Sequence, residues 1–137
     1  MNGVPLENLN LADSHCDGSE FKDLAAGQTL KNLFLENCPV EDAGLNSIAA
    51  ISGLEHLSLD NTKITAQGVV ALRSMSQLTF LSLNSTPVTA DALRQLKDLP
   101  NLKLIKANMT GVTRGDVDTL NAEIKSFAVF IGGSSGG

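Results

Sequence analysis

Apolar residues recur along this chain at a constant step. Leu6, Leu30, Leu54, Leu78 and Leu102 stand 24 apart; Leu9, Leu33, Leu57, Leu81 and Ile105 follow three places later, and Leu11, Leu35, Leu59, Leu83 and Ala107 two places after those. The pattern L-x-x-L-x-L therefore holds through five consecutive units without an insertion, so the chain is a repeat array. Within each unit the period changes. Around Leu57 and Leu59 apolar and polar residues alternate, which predicts a strand with one buried side. After Thr65, the spacing of Val69, Leu72 and Met75 predicts one face of a short helix. The helix starts fall at Asp17, Glu41, Thr65, Thr89 and Thr113. All but Glu41 are side chains that accept from an orphan backbone N–H, and Asp42 is the substitute in that unit. Helix-core positions recur at Phe21, Leu45, Val69, Leu93 and Val117, and again at Leu24, Ile48, Leu72, Leu96 and Leu120. Val129 and Ile131 continue the register, which predicts a sixth strand.

A second column accompanies the leucines. Ser14, Cys38, Thr62, Thr86 and Thr110 occupy the bend after each strand, small residues able to hydrogen-bond where buried backbone is out of reach of water. They are expected to satisfy that backbone from layer to layer, a structural role rather than a catalytic one. Gly18, Gly44, Gly68, Gly111 and Gly115 lie near the helix starts, where turns account for their spacing, so no phosphate-cradling loop is expected. One unit buries too little to offset the entropy of ordering itself, so only stacking makes the array stable.

These units resemble leucine-rich repeats. They are most similar to the 24-residue bacterial kind, with threonine where most of the family has asparagine and with T-x-I-T-x-x-G following, as in Thr62, Ile64, Thr65 and Gly68. The resemblance implies an α/β fold: a right-handed solenoid of five to six repeats, with a parallel sheet on the concave side and short helices on the convex side. It implies far less about function; an enzyme is not expected because no acid, base, nucleophile or cofactor cradle converges in the sequence. The outer units depart from the pattern, with Gly27 at a helix-core position, Ala107 for a strand leucine and Glu123 near a helix end. Residues 1–131 read as one repeat domain, and "GGSSGG" at 132–137 as a flexible tail, native or left over from expression.

Charge narrows the partners. With a formal net charge of −5, and no segregated basic face, a nucleic-acid partner is not expected. No apolar run approaches the roughly 20 residues of a membrane helix, so a soluble protein is expected. The N-terminal stretch lacks a basic segment followed by an apolar core, so no secretory signal is expected in it. Cys16 and Cys38 lack the paired spacing of a zinc site and read as core thiols.

If the strand leucines point inward, the residues between them line the opposite surface. Phe34, His56 and Phe80 then form the centre of a binding face, rimmed by Glu36, Ser58, Asp60 and Asn84, while Leu104 and Phe130 make a separate apolar end expected to be covered by the tail or by a partner copy. Exposed aromatics anchor protein partners because they bury much area at little entropic cost. His56, Ser58 and Asp60 share one strand face, but successive same-face side chains are rooted roughly 6.5–7 Å apart and nothing supplies oxyanion donors, so no catalytic triad is expected. One imidazole with Glu36 and Asp60 on an open sheet encloses no metal, and no cofactor is expected. The Asn-x-Ser/Thr triplets at Asn84 and Asn108 read as chance matches. Two functions remain: a module that binds a protein or peptide on its sheet face, or a structural or regulatory segment of a larger sensory or signalling protein. Leu6, Leu9 and Leu11 would form a nearly uncovered end strand, pointing either to a longer parent or to a homodimer.

Overall fold

A strand of three residues opens each unit of the computed structural model, which describes residues 7–18, 30–51, 53–124 and 128–131. The strands are β1 (Asn8–Asn10), β2 (Asn32–Phe34), β3 (His56–Ser58), β4 (Phe80–Ser82), β5 (Leu104–Lys106) and β6 (Ala128–Phe130). They form one parallel sheet in sequence order. Every cross-strand pair joins residues one repeat apart, as in Leu33↔Leu57, Leu57↔Leu81 and Leu81↔Ile105. The middle residue of each inner strand is fully buried, and so are Leu35, Leu59, Leu83 and Ala107 beyond it. Period-two alternation thus places one side of each strand in the core, as expected.

Helices α1 (Asp42–Ala49), α2 (Ala66–Ala71), α3 (Ala90–Arg94) and α4 (Arg114–Glu123) return the chain. Their buried residues include Leu45 and Ile48, Val69, Leu93 and Leu120, with a 3₁₀ turn at Leu72–Ser74 prolonging α2. Thr65, Thr89 and Thr113 cap as expected, each accepting a backbone N–H from its own helix, and Thr113 completes a reciprocal capping box with Asp116. Glu41 makes no such bond. Asp42 does not replace it; its carboxylate accepts instead from the backbone N–H and the hydroxyl of Thr65, tying the start of α1 to the start of α2. On the solvent side, Arg94 joins α3 to α4 by donating to Glu123, and the same contact, with Asp91 beside it, raises its pKa above the ordinary value. Leu6, Phe21, Leu24, Gly27 and the tail lie outside the described residues.

Two expectations are corrected by the turns. The threonine hydroxyls of the column bond within their own turn rather than between layers: Thr62 donates to Leu59 O and Thr86 to Leu83 O, both at 2.7 Å, and Thr110 to Ala107 O at 2.8 Å. The column's interlayer contacts lie at its first two members, where Cys38 Sγ sits 2.9 Å from Leu11 O and 3.6 Å from the Ser14 hydroxyl. Replacing Thr86 by valine keeps the shape and strands a buried carbonyl, so urea unfolding should show a loss of about 1–3 kcal/mol, whereas removing the exposed hydroxyl of Ser74 should cost little. The glycines are the second correction. Gly44 and Gly68 sit inside α1 and α2 rather than in turns, and Gly18 alone of the described glycines has a left-handed φ, at 96°. The bend itself is made by non-glycine residues. Asp13, Asn37, Asn61, Ser85 and Met109 all have φ between 55° and 66°, a conformation in which short Asx side chains are the least strained.

Candidate functional site

The sheet face opposite the helices consists of three rows, one side chain per strand in each. Asn8, Asn32, His56, Phe80, Leu104 and Ala128 form the first row, in register across the six strands. Asn10, Phe34, Ser58, Ser82, Lys106 and Phe130 form the second. Glu36, Asp60, Asn84 and Asn108 follow in the third, at the bend.

The first two rows hold the aromatics. His56 is exposed, Phe80 half-buried, and their ring centroids lie 5.9 Å apart at an interplanar angle of 43°. On the other side of Phe80 the Lys106 ammonium sits 5.9 Å from the ring centroid, within the range of a cation–π contact. Leu104 flanks Phe80 on the next strand, and Phe130, 50% exposed, flanks Lys106. The sheet therefore brings His56, Phe80, Leu104, Lys106 and Phe130 into one continuous patch. Phe34 lies at its β2 side, diagonal to His56 in the register. It belongs to the second row of β2, beside Ser58, two strands from Phe80.

The polar part of the face is turned inward. Ser58 is only 4% exposed and donates to Glu36 Oε2 at 2.8 Å, so it is not an open contact residue as the alternation suggested. Its small side chain is covered by the longer carboxylate from the neighbouring turn. One layer on, Ser82 is equally covered and donates to Asp60 Oδ1 at 2.5 Å. The same oxygen accepts the Asn84 backbone N–H at 2.9 Å, and Asn84 Oδ1 in turn accepts the Asn108 N–H at 2.8 Å. Asp60 and Asn84 thus carry a side-chain ladder from layer to layer that supports the bend. Asn108 Oδ1, the next rung, is buried and without a partner among the described residues. A parallel ladder runs outside it, from Asn61 Nδ2 to Asn37 Oδ1 at 2.6 Å and from Asn37 Nδ2 to Asp13 Oδ1 at 2.7 Å. These bonds direct the Ser58 hydroxyl and the Asp60 carboxylate to different partners, and the His56 ring lies tilted against that of Phe80.

Lys106 was missed by sequence reasoning, because a lone lysine in a strand reads as a solvated surface residue. Its signal lies in the register: it falls diagonally beside Phe80 and directly beside Phe130, and among the described residues it has no ion-pair partner. Glu36 and Asp60, read as an acidic rim, are instead engaged by Ser58, Ser82 and Asn84. Among the described residues the face thus presents aromatic rings and a cation with no ion-pair partner. No described helix is long and apolar enough to cross a membrane.

No protein-family profile and no curated protein matches the sequence. Among solved structures, the chain is similar to internalin C2 of Listeria monocytogenes, with a TM-score of 0.73 and 21% sequence identity. The likeness covers 92% of this chain and 51% of that one, so this chain spans about half the length of that neighbour. Six in-register parallel strands, helices on the opposite side and this structural neighbour together establish an α/β leucine-rich-repeat solenoid.

Proposed function

We propose that the chain is a non-enzymatic binding module that holds a protein or peptide on its concave sheet face. The observation that carries this reading is the continuous patch of His56, Phe80, Leu104, Lys106 and Phe130 on a rigid sheet. Phe34, Glu36, Asp60 and Asn84 bound the patch on the side of the first strands and the bend. Aromatic side chains that the fold holds in place lose little entropy on binding, and rings flanking a cation favour a partner carboxylate set beside an apolar side chain. Lys106, close to Phe80 and without an ion-pair partner among the described residues, is the group that would meet that carboxylate.

A random peptide library selected on the immobilised chain tests the reading. Selected peptides should lose about 30-fold in affinity for Phe80→Ser, equivalent to about 2 kcal/mol, and bind the convex-face variant Val70→Ser as they bind wild type. Peptides that ignore Phe80 and respond to Val70 would refute the concave-face site.

A further inference from the structure

At one edge of the sheet a side chain takes the outward backbone groups of the strand's middle residue. In the inner strands and just beyond them, the leucine-type residues turn their backbone toward the following strand: Leu35 N–H donates to Ser58 O, Leu59 N–H to Ser82 O and Leu83 N–H to Lys106 O. The residues between them turn back toward the preceding strand. In β6, Ala128 N–H donates to Lys103 O, and Phe130 O accepts from Ala107 N–H. Val129, paired in register with Ile105, is therefore the residue of β6 whose backbone faces away from β5.

Both of its outward groups are taken. Val129 N–H donates to Asn121 Oδ1 at 2.9 Å, and Val129 O accepts from Asn121 Nδ2 at 3.4 Å. A carboxamide offers one acceptor and one donor side by side, as a peptide group does, so Asn121 on α4 sits where the backbone of a next strand would pair. The feature is not part of the repeat. One and two units earlier the corresponding residues are Lys97 and Arg73, whose side chains donate and do not accept.

We infer that Asn121 is an edge plug that keeps β6 from pairing with strand β1 of a second copy of this chain. Strand β1 is the fitting occupant because it already has the polarity of a following strand. The backbone of Asn8 and Asn10 faces away from β2, in the orientation that Asn32 uses to donate to Glu7 O and Phe34 to accept from Leu11 N–H. Among the described residues the outer side of β1 shows one local substitute, Ala12 N–H on Asn10 Oδ1 at 3.0 Å. A β6-to-β1 contact joins two different surfaces and does not close on itself, so unplugged copies would add head to tail.

Hydrogen exchange and sedimentation test the plug. In the wild-type chain the Val129 amide should exchange as slowly as that of Ile105, and an unprotected Val129 amide would overturn the inference before any variant is made. Asn121→Ala, with circular dichroism unchanged, should speed exchange at Val129 about tenfold or more and make the sedimentation coefficient rise with concentration. Adding Asn10→Pro, which removes an outward N–H and no inner strand bond, should return the Asn121→Ala chain to a monomer. An Asn121→Ala chain that stays monomeric at every concentration, or one whose association ignores Asn10→Pro, would refute the plug or its occupant.

Discussion

Leu81→Ala is expected to lower the free energy of unfolding by about 2–5 kcal/mol, the range for truncating a fully buried leucine whose cavity cannot collapse. Leu81 is 0% exposed in β4, between Leu57 and Ile105 on the two adjoining strands, so the void opens inside a stack packed from both sides. Leu9, the same position in β1, is half-buried and has a described neighbouring strand on one side. Leu9→Ala should therefore cost clearly less. Urea titration of both variants, followed by far-ultraviolet circular dichroism, makes the comparison. Equal losses would mean that interlayer packing is not what holds the middle strands.

Gly44→Ala is the second substitution with a large expected effect. A Cβ at Gly44 would come 2.0 Å from the backbone oxygen of Asp17 and 3.1 Å from Gly18 Cα, so the first two layers would have to move apart. Overpacking against backbone costs about 1–3 kcal/mol, and the clash here places the loss at the upper end. Gly53 is the control. Its nearest heavy atom would be Leu30 O at 3.7 Å, ordinary contact, so Gly53→Ala should leave the melting midpoint almost unmoved. A thermal melt of the two single variants separates close approach from any general intolerance of alanine.

The leucine positions were legible in the sequence because burial and strand pairing both obey the repeat. A step of 24 residues sets the register of all six strands, and the threonine helix caps follow from the preference of an orphan N–H for a short oxygen-bearing side chain. Hydrogen-bond direction was less legible. Period-two alternation assigned Ser58 to the open face, yet a serine between longer neighbours is small enough to be covered, and Glu36 covers it. The threonine column was read as an interlayer tie, but a hydroxyl at the end of a strand reaches the carbonyl three residues back more readily than it reaches the next layer. Asp42 serving the next helix, and Asn121 serving the edge of β6, occur once each. A search for recurrence finds what is repeated and passes over what is not.

The register has a kinetic consequence. Each strand meets partners only one repeat away, so no pairing has to close a long loop before the ones beside it exist. Structure in such a chain begins wherever two adjoining layers first meet and spreads outward one layer at a time. The outermost layers can then melt and re-form while the middle stays intact, and the central strands that carry His56 and Phe80 are the last to open.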